Sequence, residues 1–138
     1  MNKITIDLTD KEMKNLLMIK GDGVTKEEFV LNIVKEKLNS VLLENGFYYK
    51  IEAKELYDIN NEKILFTKKE DALFNYLIIN SLENENNYVD IESIKKDVWK
   101  SNETSIFSIR NVVKSIREKT FDNIIKNKSS HGYRVNLR

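Results

Sequence analysis

The 138 residues are 41% hydrophobic and 33% charged, enough apolar side chain for a packed core and too much for a disordered chain. No cysteine and a lone histidine, His131, exclude disulfide staples and thiolate metal centres, so no cofactor is expected. The formal charge of +1 hides an asymmetry: residues 1–45 sum to −1, residues 46–93 to −5 and residues 94–138 to +7. A basic segment of that kind suits a phosphate-bearing partner, though a solvated basic face would look the same.

No apolar run approaches the length of a membrane span and the N-terminus lacks a secretory pattern, which predicts a cytoplasmic protein with no membrane partner. Residues 3–8 alternate polar and apolar, the period of a half-buried strand. Thr9, with Glu12 behind it, opens a helix to about Lys20 that buries Met13, Leu16 and Leu17. Gly21-Asp22-Gly23 stops it. Thr25 and Glu28 form a capping box for a second helix, 25–42, with Phe29, Val30, Ile33, Val34, Leu38 and Val41 on one face. Asn45-Gly46 is a turn and the expected boundary between a module at 1–45 and another at 46–138.

From Phe47 the period becomes that of strands: Tyr48–Ala53, Leu56–Ile59 and Lys63–Phe66, with a tight turn at Asn60-Asn61. Thr67 caps a long helix through Leu73, Tyr76 and Leu77. Asp90 caps a shorter one through Ile94, Val98 and Trp99. Ile106 to Lys119 forms a further helix with an inward stripe of Ile109, Val112, Val113 and Ile116. Ile124–Lys128 and Tyr133–Leu137 read as a terminal hairpin. The expected fold class is α+β.

The C-terminal order of sheet, three helices and hairpin comes with specific residues. Phe66-Thr67-Lys68-Lys69-Glu70 followed by Leu73 resembles the "LT-x-x-E-x-x-L" opening of the OmpR/PhoB winged-helix domain. Val89 to Ile94 with Val98-Trp99 resembles its "V-S-R-E-x-L…V-W" segment. Ser108 to Lys119 is similar to its recognition helix, and His131-Gly132-Tyr133-Arg134-Val135 to the closing "G-Y-R-L" strand of its wing. The resemblance implies a winged helix-turn-helix that places the 106–119 helix in a DNA major groove. Its base and phosphate contacts would fall on Ser108, Lys114, Ser115 and Arg117. Asn111 joins them from its place on the same face, and Arg110 and Lys119 are the remaining outward cations of that helix. Wing contacts would come from Lys126, Lys128, His131 and Arg134. The Arg and Gly usual at the wing tip are Ser129 and Ser130 here. Residues 1–45 are too few for the receiver domain that normally precedes this fold, so a usual two-component response regulator is not expected.

Lys3 to Thr9 resembles the strand of the CopG/Arc/MetJ group, and Gly23 to Glu28 the start of its second helix. That resemblance implies a ribbon-helix-helix unit. One strand and two helices cannot bury their own core, so a homodimer is expected, with Lys3, Thr5 and Asp7 on the outer face of a paired ribbon. The backbone N–H groups of Thr25 and Lys26 would meet a phosphate. Whether the ribbon contacts DNA or only dimerises stays open.

These readings converge on a dimeric, sequence-specific regulator of double-stranded DNA that binds an inverted repeat. Lys95, Lys96, Lys100, Lys119, Lys126 and Lys128 are expected as phosphate contacts. Two alternatives stay open: an accessory DNA-binding protein of a plasmid or other mobile element, using the same surfaces, and a protein-interaction adaptor whose degenerate winged helix has lost DNA binding. An enzyme is not expected. The sequence offers no nucleophile–base pair, metal set or phosphate loop, and no small-molecule ligand is inferred.

Overall fold

In the computed structural model the described residues are 5–84, 86–129 and 131–137, without the side chains of residues 36 and 37. The chain divides into two compact units between Asn39 and Ser40. The boundary therefore lies six residues before the expected turn at Asn45-Gly46. That turn is real but internal: it joins two strands of one sheet, with Asn45 (φ 59°) and Gly46 (φ 78°) in the left-handed region. A turn within a sheet and a turn between modules carry the same residue signature.

The first unit holds α1 (Asp10–Ile19) and α2 (Lys26–Leu38). Thr9 caps α1 with a full capping box: its hydroxyl accepts from the Glu12 N–H while the Glu12 carboxylate accepts from the Thr9 N–H. Thr25 accepts from Glu28 N–H at 3.1 Å to open α2. Of the strand expected over 3–8, only residues 5–8 are described. Residues 5–9 carry no strand, and Lys3 and Ile4 lie outside the described residues. A lone strand in one chain has no ladder to join. The second helix ends at Leu38, so Val41 belongs to the following sheet and Leu38 is exposed. Among the described residues of this unit none is fully buried.

The second unit begins with an antiparallel meander, β1 (Ser40–Leu42), β2 (Tyr48–Lys50) and β3 (Glu55–Tyr57). Its register sets Val41 opposite Tyr49 and Tyr49 opposite Leu56, which turns one face inward. Lys63, expected to begin a strand, forms only a bridge to Tyr57. Thr67 and Glu70 form a second capping box at the head of α3 (Lys68–Glu83), whose Leu73, Phe74, Leu77 and Ile78 are the centre of the core. Asp90 caps α4 (Ile91–Ile94), which continues as one π-helical turn through Trp99 and stops at Lys100 in left-handed geometry, φ 57°. Ser105 caps α5 (Ile106–Lys119). A hairpin of β4 (Ile125–Lys128) and β5 (Gly132–Val135) follows.

Three contacts close this unit. Val89 pairs with Tyr133 through one bridge of two backbone hydrogen bonds, tying the segment before α4 to the hairpin. Leu43 pairs with Leu137, joining the meander to the chain's end. The buried Ser81 hydroxyl donates to Leu77 O and accepts from Val135 N–H, fastening α3 to β5. Among the described residues no helix is long and apolar enough to cross a membrane.

Candidate nucleic-acid interface

Helix α5 segregates apolar from polar side chains more sharply than α3, and its stripe of Ile109, Val113 and Ile116 is fully buried. Val112, expected in the same stripe, is half-buried at its margin. At 3.6 residues per turn the side opposite that stripe holds positions 107, 111, 114 and 118, with 110 beside them. Phe107, Arg110, Asn111, Lys114 and Glu118 are all exposed. Lys114 stands 4.0 Å from Glu118, a loose surface pair.

The flanks of the helix are a different matter. Ser115 donates to Glu70 Oε2 at 2.8 Å, and Lys119 donates to Glu70 Oε1 at 2.6 Å and to Leu65 O at 3.1 Å. On the opposite flank, the Arg117 guanidinium donates to Ile125 O at 2.7 Å, and its Nε is buried. These three, read from sequence as DNA contacts, are turned into the joints that seat α5 on α3 and β4. Ser108 is half-buried against the Ser105 cap, 3.1 Å between the two hydroxyls. Of the expected set on α5, the outward residues are Arg110, Asn111 and Lys114.

Glu70 is the anchor of this arrangement and is only 2% exposed. Burial by itself pushes its carboxyl up. The hydrogen bonds from Lys119, the Thr67 N–H and Ser115 outweigh that and hold it down at about 2. The carboxylate therefore stays charged and keeps both partners.

The hairpin stands beside α5 and encloses two clefts with it. One of about 680 Å³ is lined by Lys114, Arg117, Glu118, Lys126 and Asn127 among others, and one of about 420 Å³ by Ile106, Arg110, Lys128 and His131 among others. Lys126, Lys128, Ser129 and His131 are exposed, and Ser130 lies outside the described residues. Lys126 faces Arg134 across the ladder, and the Arg134 guanidinium lies 5.6 Å from the Tyr88 ring centre. Gly132 is fixed by close approach. At φ 108°, a Cβ there would fall 1.8 Å from Val89 O.

Of the phosphate candidates on α4 and its π turn, Lys96 and Lys100 are exposed, while Lys95 is half-buried and 3.4 Å from Glu92. In the first unit Thr5, Thr25 and Lys26 are exposed, and Lys26 also lines an apolar cleft of about 870 Å³ with Ile6, Met13, Leu16, Val30 and Leu31 among others. Phe107 escaped the sequence reading. It lies two residues before Ile109, about 200° round the helix, so the periodicity that placed the stripe also placed Phe107 outside.

A three-stranded meander, a helix-turn-helix and a closing hairpin define the second unit as a winged helix. No family model and no curated protein matches the chain. Solved structures do. The DNA-binding domain of Bacillus subtilis CssR is 24% identical, with 64% of this chain and 98% of that one covered and a TM-score of 0.51. A redox sensor of the streptococci, from a family described as evolved from two-component response regulators, is 15% identical at a TM-score of 0.51. That match covers 93% of this chain and 64% of the other, so the chain spans less than two thirds of that protein. At these identities the likeness is one of fold.

Proposed function

We propose that the chain is a sequence-specific double-stranded DNA-binding regulator that reads the major groove with α5. The observation that carries this is the outward row Arg110, Asn111 and Lys114, opposite a fully buried stripe and beside the exposed lysines of the hairpin. A major groove admits one α-helix, and Asn and Arg each make two hydrogen bonds to a base edge, adenine and guanine respectively. The +7 charge of residues 94–138 supplies the attraction to phosphates. Lys96, Lys100, Lys126 and Lys128 are the proposed phosphate contacts, which set register without reading sequence. The fold shared with a domain named as DNA-binding supports the same reading.

The first unit is proposed to pair two copies as a ribbon-helix-helix. Ile6, Ile19 and Leu31 are each at least half exposed and line the apolar cleft of this unit. A second copy would bury that face and pair with residues 3–8 as a strand. Two α5 helices then meet an inverted repeat.

Selection of bound duplexes from a random library tests both levels. A palindromic consensus is expected. In mobility-shift assays on it, Asn111→Ala should cost about 1–3 kcal/mol and relax preference at one base pair per half-site. Recovery of no consensus, together with binding that is flat in salt, refutes the proposal.

A further inference from the structure

The first turn of α5 places an aromatic ring on the same outward row as the groove-facing polar residues. Phe107 is 68% exposed and stands outside the hydrophobic core. Nothing in the packing of the second unit calls for an aromatic side chain there. The turn that carries it is well held. Ser105 accepts from the Ser108 N–H at 3.2 Å, and the two hydroxyls meet at 3.1 Å. The Arg110 guanidinium lies 5.9 Å from the ring centre, a cation–π contact at the outer limit of range.

The thymine C5-methyl is the apolar group that the base pairs display in a major groove, and Phe is among the side chains that contact it. Asn111 follows Phe107 by one helical turn, about 6 Å along the axis, close to two base steps of about 3.4 Å. Arg110 beside the ring and Lys114 two turns further along the same outward side of α5 favour a polyanion as occupant of this face. We propose that Phe107 is a specificity-determining residue that reads a thymine methyl about two base pairs from the adenine read by Asn111. The inference rests on α5 entering the groove and adds what its first turn recognises there.

The test replaces each thymine of the selected duplex, one at a time, by deoxyuridine, which removes only the methyl group. Binding of the full chain is followed by fluorescence anisotropy. Wild type should weaken about fourfold at one thymine per half-site, the worth of one buried methyl. Phe107→Ala should bind the thymine and deoxyuridine duplexes alike at that position while keeping its preference at the Asn111 position. Because Phe107 is exposed, an unchanged urea midpoint shows that the variant is folded. A wild type indifferent to every deoxyuridine overturns the proposal, as does a Phe107→Ala variant that keeps the discrimination. A wild type that binds no duplex at all removes instead the DNA reading on which it stands, and would assign this face to a protein partner.

Discussion

Lys119→Met separates structural cations on α5 from those that face outward. Lys119 closes the Glu70 network, and methionine keeps the stem while removing the charge. Glu70 titrates at about 2 instead of 4.5. A difference of that size corresponds to about 3 kcal/mol of stability at neutral pH for the whole network. The Lys119 side chain is 36% exposed, so water screens part of its share, and the variant should lose about 2 kcal/mol. The folded carboxyl titrates below its unfolded value, so its stabilisation is complete above about pH 4.5 and disappears as pH falls through 2. About 2 of the 3 kcal/mol should already be gone by pH 3. Urea unfolding followed by circular dichroism at pH 7, 5, 4 and 3 should therefore show wild type and variant converging as pH falls. At pH 7 the folded variant should bind the consensus duplex within about twofold of wild type. Unchanged stability at pH 7 combined with weakened DNA binding would refute the assignment of Lys119 to the Glu70 network.

Arg117→Met should cost about 1.5–3 kcal/mol, since its guanidinium bonds the Ile125 carbonyl, and leave the salt dependence of DNA binding unchanged. Lys114→Met, on the exposed row, should do the reverse: unfolding unaltered and the slope of log K against log salt reduced by about 1. Gly132→Ala should destabilise by on the order of 3 kcal/mol in urea titrations, because its Cβ collides with Val89 O at the strand bridge. Leu31→Asp, in the apolar cleft of the first unit, should convert a sedimenting dimer to monomer without lowering the thermal midpoint of the second unit; a dimer unaffected by the change would remove the proposed pairing face.

Local chemistry was legible wherever one residue and its near neighbours settle the matter. Thr9–Glu12, Thr25, Thr67–Glu70 and Asp90 open helices as their spacing predicts, because a cap answers only to N–H groups two or three residues on. The stripe of Ile109, Val113 and Ile116 follows from helical period alone, and so does the outward direction of positions 107, 111 and 114. Tertiary neighbours decided the rest. Ser115, Arg117 and Lys119 sit on the flanks of α5, where period leaves a polar residue equally able to face solvent or a partner. Glu70 Oε2, Ile125 O and Glu70 Oε1 claimed them, from elements 45, 8 and 49 residues away. A hydrogen bond between distant segments exists only once the chain has brought them together, so no local pattern announces it. The end of the first unit at Asn39 is of the same kind: Val41 joins a sheet because Tyr49 lies across from it.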